Sequence, residues 1–197
     1  MKKMKVLIDN GHGEKTAGKR SPDGTLREYA YAREVAERVV NALRLRGIDA
    51  ERLVPEKSDI DLKERVRRVN AHCLKHGAEN VLLVSVHLNA SGNGTSWGQG
   101  RGWQVCVGRN SSSSSRRAAS CLTEAAVGAG LKVRRYKPDQ DWWAQNLYLM
   151  EKTRCPAVLT ENLFMDNRED CALLMSEDGM DRIVRLHVEG IMAYIGV

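Results

Sequence analysis

Long hydrophobic runs are missing from this chain. No stretch of the sequence approaches the roughly 20 consecutive apolar residues that a membrane-spanning helix needs. The amino terminus begins with lysines but offers only Val6, Leu7 and Ile8 before Asp9, which is too short for the apolar region of a secretory signal. The sequence therefore predicts a protein that is made in the cytoplasm without a signal peptide and has no membrane span.

Paired cysteines, internal repeats and interdomain linkers are also missing. The five cysteines are odd in number and none has C-x-x-C spacing, which favours reduced packing residues over a disulfide framework. The serine run at 111–115 is short enough to be a loop and a helix cap. A chain of 197 residues with 42% apolar and 28% charged residues suits one compact domain over residues 1–197.

Positive charge exceeds negative charge in this sequence. The formal net charge is +6, and basic clusters lie at Arg65–Arg68 and Lys132–Arg135. Such clusters favour any polyanion. A solvated basic face explains the same residues, so the charge predicts no specific nucleic-acid partner.

Apolar segments alternate between the periods of strands and helices. Strand-like segments lie at 4–9, 48–53, 81–87, 102–107 and 156–160. Helical spacing is found at 35–43, 62–73, 115–129, 167–175 and 178–195. This order predicts an α/β fold in which a twisted, mostly parallel sheet has helices on both faces.

Three polar residues lie where predicted strands end. His12 follows the first strand, His87 ends the third, and Glu161 follows the last. The carboxyl ends of parallel strands meet at one edge of a sheet, so these side chains are expected to lie together. Ordinary alternatives remain, namely a turn histidine at position 12 and an arginine-paired glutamate at position 161.

Glu28 opens the next predicted helix. Thr25 and Glu28 have the spacing of a capping box, in which the glutamate bonds the cap amide. A carboxylate on the first helical turn could instead face the same sheet edge as the histidines. Two imidazoles and one carboxylate are the ligands of an open catalytic zinc site, and a second carboxylate beside it can move a proton.

Four motifs together resemble a known family. They are the run from Val6 to Gly13, Glu28, the run from Ser85 to Ala90, and the run from Pro156 to Asn167. In this order they resemble the zinc-dependent N-acetylmuramoyl-L-alanine amidases of the amidase_3 type, and the similarity extends from residue 4 to about 195. The sequence departs from the family at Asn10, where the family more often has proline.

The resemblance implies one zinc ion per chain, with His12, Glu28 and His87 as its ligands. It also implies that Glu161 takes a proton from water and returns it to the leaving nitrogen of L-alanine. The bond cut would join the lactyl group of N-acetylmuramic acid to the stem peptide of peptidoglycan. The basic surface would then favour anionic wall polymers. A wall enzyme without an export signal would be a phage-type lysin released by a pore, or a mature form whose leader had been removed.

Four further residues are predicted to support this site. Ser85 and Asn89 flank His87, and we expect them to orient the imidazoles by hydrogen bonds. Trp142 and Trp143 are adjacent in a polar segment, so they cannot both enter one core from a strand. At least one is expected to line the substrate groove, and the alternative is a loop tryptophan folded back over the core.

Other motifs are incomplete. Residues 13–19 resemble a phosphate-binding loop, but Arg20 stands where Ser or Thr would hold magnesium. His72 and His76 have the spacing of zinc peptidases, but Cys73 replaces the required glutamate. His187 lies on the apolar side of the last helix and is predicted to be a packing residue.

Two other functions fit parts of the pattern. One is a zinc exopeptidase that acts on short peptides, and the other is a noncatalytic wall-binding module. The intact Glu161 argues against the binding module. The sequence predicts neither the oligomeric state nor which bacterial wall is preferred.

Overall fold

A six-stranded sheet forms the centre of the molecule in the computed structural model, which describes residues 4–197. The strands are β1 (Lys5–Asn10), β2 (Asp49–Arg52), β3 (Val81–Asn89), β4 (Gln104–Gly108), β5 (Trp142–Gln145) and β6 (Ala157–Phe164). The helices are α1 (Glu28–Leu45), α2 (Leu62–His76), α3 (Ser113–Gly128), α4 (Tyr148–Lys152), α5 (Arg168–Leu174) and α6 (Glu177–Ile195), with a short 3-10 turn at Ala78–Asn80.

The order of strands in the sheet is β2-β1-β3-β6-β4-β5. The first four of these run parallel, β4 is antiparallel to β6, and β5 is parallel to β4. The predicted α/β fold with a mostly parallel sheet is therefore confirmed. The sequence did not predict β5, a four-residue edge strand in a polar segment.

Hydrophobic cores lie on both faces of the sheet because successive strand residues point to opposite sides. Val6 and Ile8 of β1 pack in the core covered by α1, α3 and α6, whereas Leu7 packs in the core covered by α2 and α4. All five cysteines are free thiols and four of them are buried, as predicted. Ser112 caps α3 by accepting a hydrogen bond from Ser115 N, which confirms the predicted role of the serine run.

Two strands continue beyond the ends that the sequence predicts. β3 extends past His87 to Asn89, and β6 extends to Phe164, so Glu161 lies within its strand and not after it. The register between β3 and β6 shifts after His87, and Leu163 adopts a left-handed backbone with φ of 67°. None of the helices within residues 4–197 is both long and apolar enough to cross a bilayer.

Candidate metal centre

His12 lies on a tight loop directly after β1. Gly11 precedes it, and a Cβ on Gly11 would lie 2.2 Å from Cε1 of His87, so only glycine lets the two segments approach this closely. His12 itself has a φ of 60°, and its carbonyl accepts a hydrogen bond of 3.0 Å from Nη2 of Arg33. The backbone is thus held in a rare conformation that directs the imidazole towards His87.

Glu28 is the first residue of α1, and its side chain is buried. Its Oε1 lies 3.0 Å from Nδ1 of His87 and 3.3 Å from Nε2 of His12, and accepts a hydrogen bond of 3.1 Å from Leu88 N. The capping box is not formed, since the N-cap is Arg27 and Thr25 bonds Asp23 instead. The alternative role of Glu28 as a capping residue is therefore wrong.

The ligand atoms of His12, Glu28 and His87 all lie within 4.8 Å of one another. Burial tends to raise the pKa of Glu28, but hydrogen bonds and charge from the two histidines lower that pKa well below its ordinary value. Burial tends to lower the pKa of His87, but the hydrogen bond and the charge of the adjacent Glu28 act against burial, and the pKa is raised above its ordinary value. The second carboxylate oxygen, Oε2 of Glu28, is buried and has no hydrogen-bond partner within residues 4–197. A buried anion with an unpaired oxygen beside two imidazoles fits a divalent cation.

Glu161 lies beside this cluster because β6 pairs with β3 in parallel, with His87 opposite Glu161. Its Oε2 is buried and unpaired within the described part of the chain. Burial raises the pKa of Glu161 to about 7, although the charges of His87 and Lys19 lower it in part. A carboxyl group with a pKa in this range can both accept and return a proton near neutral pH.

Asn162 and Trp103 hold the strands at this point. Asn162 Nδ2 donates a hydrogen bond of 2.9 Å to the carbonyl of His87, and Trp103 Nε1 donates one of 2.9 Å to Asn162 Oδ1. Trp103 is fully buried. Neither residue was predicted to belong to the site, and the available signal was the position of Asn162 directly after Glu161.

The predicted partners of the imidazoles make other contacts. Ser85 Oγ donates to Asp9 Oδ2, and Asn89 Oδ1 accepts from Ala90 N at 2.9 Å. Neither side chain bonds an imidazole in the described structure, and the ring nitrogens face Glu28 instead. Ser85 therefore belongs to a buried network with Asp9, which also accepts a hydrogen bond of 2.6 Å from Nη1 of Arg65.

A cavity of about 580 Å³ opens beside His12 and His87. Its lining is mainly apolar, with Asp59 and Asp61 at its side. The tryptophans of β5 are not among its lining residues; Trp142 packs against one core and Trp143 against the other. The two rings therefore occupy opposite faces of the sheet, and the predicted groove position of one of them stays a prediction.

His187 is a packing residue, as predicted. It is buried, with Nδ1 2.7 Å from the carbonyl of Ile183 and Nε2 2.9 Å from Thr160 Oγ1. Nδ1 must donate to the carbonyl, so Nε2 accepts from the hydroxyl. Burial lowers the pKa of His187 to about 4, so the ring is neutral at neutral pH.

A known protein family matches most of the chain. The sequence profile of the N-acetylmuramoyl-L-alanine amidase family, Amidase_3, matches residues 6–193. An endolysin of Bacillus phage SPP1 is 32% identical over 189 residues, which cover 94% of this chain and 64% of that protein. The chain thus spans slightly less than two thirds of that relative.

Solved structures are similar along the whole chain. An N-acetylmuramoyl-L-alanine amidase from Clostridium difficile superposes with a TM-score of 0.83 at 22% identity, covering 100% of this chain and 98% of that one. The catalytic domain of CwlV, an N-acetylmuramoyl-L-alanine amidase from Bacillus (Paenibacillus) polymyxa, has a TM-score of 0.80 at 26% identity, covering 98% of this chain and 99% of that one.

Proposed function

Since the chain belongs to the N-acetylmuramoyl-L-alanine amidase family, we propose that it hydrolyses the amide bond between the lactyl group of N-acetylmuramic acid and L-alanine in peptidoglycan. The observation that carries this proposal is the convergence of His12, Glu28 and His87 within 4.8 Å, with Glu161 on the neighbouring strand. These groups are the parts that metal-assisted amide hydrolysis requires.

The metal in this proposal is one zinc ion, held by His12, Glu28 and His87. Two nitrogen ligands and one carboxylate leave a coordination position open, as in catalytic zinc sites. When bound, zinc would polarise the lactyl carbonyl and lower the pKa of water from about 15.7 towards roughly 7. The buried Oε2 of Glu28, which has no hydrogen-bond partner in residues 4–197, supports a cation at this site.

Glu161 is the proton carrier in this proposal. Its carboxylate accepts a proton from the attacking water and then donates it to the nitrogen of L-alanine as the amide bond breaks. Its position opposite His87 and its unpaired, buried Oε2 support this role. Asn162 would keep the two strands in register during the reaction, since it binds the carbonyl of His87.

A role as a phage-type lysin is supported by the similarity to a phage endolysin. The net charge of +6 would also draw the protein to anionic wall polymers.

Digestion of purified cell walls tests the function directly. We expect mass spectrometry to find free stem peptides that begin with L-alanine, while the glycan strands keep intact lactyl groups. Release of single amino acids from peptide ends would show an exopeptidase, and binding without any product would show a wall-binding module. Either of these outcomes would overturn the proposal.

Metal analysis tests the site. After mild dialysis we expect close to one zinc ion per chain, and alanine at His12, Glu28 or His87 should remove metal and activity together. His72→Ala is the matched control, because His72 pairs with Glu51 and lies outside the cluster. Wall-lytic activity that survives a strong chelator in metal-free protein would contradict the zinc site.

A further inference from the structure

The side chain of Arg134 lies over two aromatic rings. Its guanidinium carbon lies 4.8 Å from the ring centre of Phe164 and 5.8 Å from that of Trp143. The side chain is half-buried, and it makes no ion pair with any residue in the range 4–197. Aromatic rings hold a guanidinium by its face and leave its N–H groups free to donate in the plane.

Neighbouring arginines on this surface are neutralised. Arg135 pairs with Asp141 at 2.9 Å, and Arg101 pairs with Glu169 and with Asp170 at 3.3 Å. A solvated basic face would explain those residues without a ligand. It does not explain why Arg134, unlike the other two, lies over aromatic rings with no ion pair in the described residues.

The backbone of Arg134 is fixed to the strand that borders Glu161. Arg134 N donates a hydrogen bond of 2.7 Å to the carbonyl of Trp103, and the next residue, Gln104, is the register partner of Glu161. Gly102 allows the two segments to approach, since a Cβ there would lie 2.7 Å from the carbonyl oxygen of Lys132 and 3.2 Å from Cγ of Arg134. The backbone of Arg134 is therefore attached next to the residue that pairs with the proton carrier.

The supporting ring of Trp143 lies on the same face of the sheet as Glu161. Cys106 pairs with both Leu159 and Trp143, so these three side chains share one face, and Glu161 follows Leu159 by two residues. The second ring belongs to Phe164, three residues after Glu161 on β6. Three strand residues span at most roughly 10 Å, which is about the length of three residues of an extended peptide, so Arg134 lies within reach of the first residues of a bound stem peptide.

We propose that Arg134 binds a free carboxylate of the stem peptide, on the acidic residue that follows L-alanine. This inference rests on the proposed function, which places the bond to L-alanine beside Glu161. An extended peptide advances about 3.3 Å per residue, so the residue that follows L-alanine lies within the roughly 10 Å that separates Glu161 from the ring of Phe164. A guanidinium held by its face offers the paired N–H groups that bind a carboxylate in bidentate geometry. Arg134 thereby favours stems in which this carboxylate is free over stems in which it is amidated.

The test uses two soluble muropeptides that differ at one group. The residue after L-alanine is D-glutamate in one and D-isoglutamine in the other, so a single carboxylate is replaced by an amide. We expect kcat/KM of the wild-type protein to be about 10-fold or more higher for the carboxylate form, because hydrogen bonds to charged groups have energies of this size. Arg134→Gln should reduce this ratio to near one, mainly through KM.

Control variants separate binding from folding. Arg135→Gln should leave the ratio unchanged, and Arg134→Lys should retain part of it. The ratio remains decisive if Arg134→Gln lowers the folded fraction, because the same folded molecules cut both substrates. Cleavage of both substrates with an unchanged ratio in Arg134→Gln would overturn this inference alone. Failure of the wild-type protein to cut either substrate would overturn the proposed function and this inference with it.

Discussion

At the scale of single residues, the environment of Glu161 suits the transfer of a proton. Its pKa is raised to about 7 by burial, and its buried Oε2 has no partner in the described residues. A buried, unpaired carboxyl oxygen is costly for folding. The proposed reaction gives a reason for this cost, since a carboxylate already paired with an arginine would be a weaker base.

Glu161→Gln should separate metal binding from turnover, because glutamine keeps the shape of glutamate but cannot accept a proton. We expect the rate of wall cleavage to fall by about 10²- to 10⁴-fold, which is the usual contribution of a general acid or base. Zinc content and melting temperature should stay close to those of the wild-type protein. Cleavage at nearly the wild-type rate would make Glu161 a structural residue.

At the scale of elements, the end of β1 is held against α2 by a buried ion pair. Nη1 of Arg65 lies 2.6 Å from Asp9 Oδ1 and donates a second bond of 2.7 Å to the carbonyl of Asn10. Side-chain exposure is 3% for Arg65 and 1% for Asp9, so both charges are removed from water. The loop that carries His12 begins at Gly11, directly after β1. The Arg65–Asp9 ion pair therefore anchors the strand end from which this loop leaves.

Arg65→Met should destabilise the protein by about 3–5 kcal/mol, because it leaves the charge of Asp9 buried without a partner. Urea unfolding of the wild-type and variant proteins measures this difference. The matched control on the same helix is Arg67→Met, since Arg67 is exposed and pairs with Glu64 one turn away. Equal stability of the two variants would show that the buried pair does not hold β1 to α2.

At the scale of the whole molecule, a neutral histidine lies between the sheet and the last helix. His187 of α6 contacts Thr160 of β6, one residue before Glu161. Burial lowers its pKa from 6.5 to about 4. Between these pH values the unfolded chain binds a proton that the folded protein does not, so stability falls as the pH drops below about 6.5.

His187→Gln should remove this part of the pH dependence. We expect the stability advantage of the wild-type protein over the variant to shrink by about 2–3 kcal/mol between about pH 7.5 and about pH 4.5. The measurement is urea unfolding at both pH values. Comparison of the two proteins at each pH cancels the effect of losing metal in acid, because both contain the same metal ligands. A constant difference would mean that the pKa of His187 is the same in the folded and the unfolded protein.

The sequence alone predicted the α/β fold and the grouping of the four polar residues. Apolar runs of strand length bury residues on both faces of a sheet, and a parallel sheet brings strand ends to one edge, so local pattern carried this information. The resemblance to the amidase_3 family is confirmed by the match over residues 6–193. The metal ligands and Glu161 remain predictions that the measurements above can test.

Only the tertiary structure decided the features that depend on neighbours distant in sequence. β5 forms because it pairs with β4, and its own residues show no apolar period. Ser85 bonds Asp9, and the imidazoles face Glu28, because register and packing determine which polar atoms meet. Arg134 differs from Arg135 only in its surroundings, with aromatic rings on one and a carboxylate on the other. Local pattern reports which face a residue occupies, but long-range contacts determine which partner it finds there.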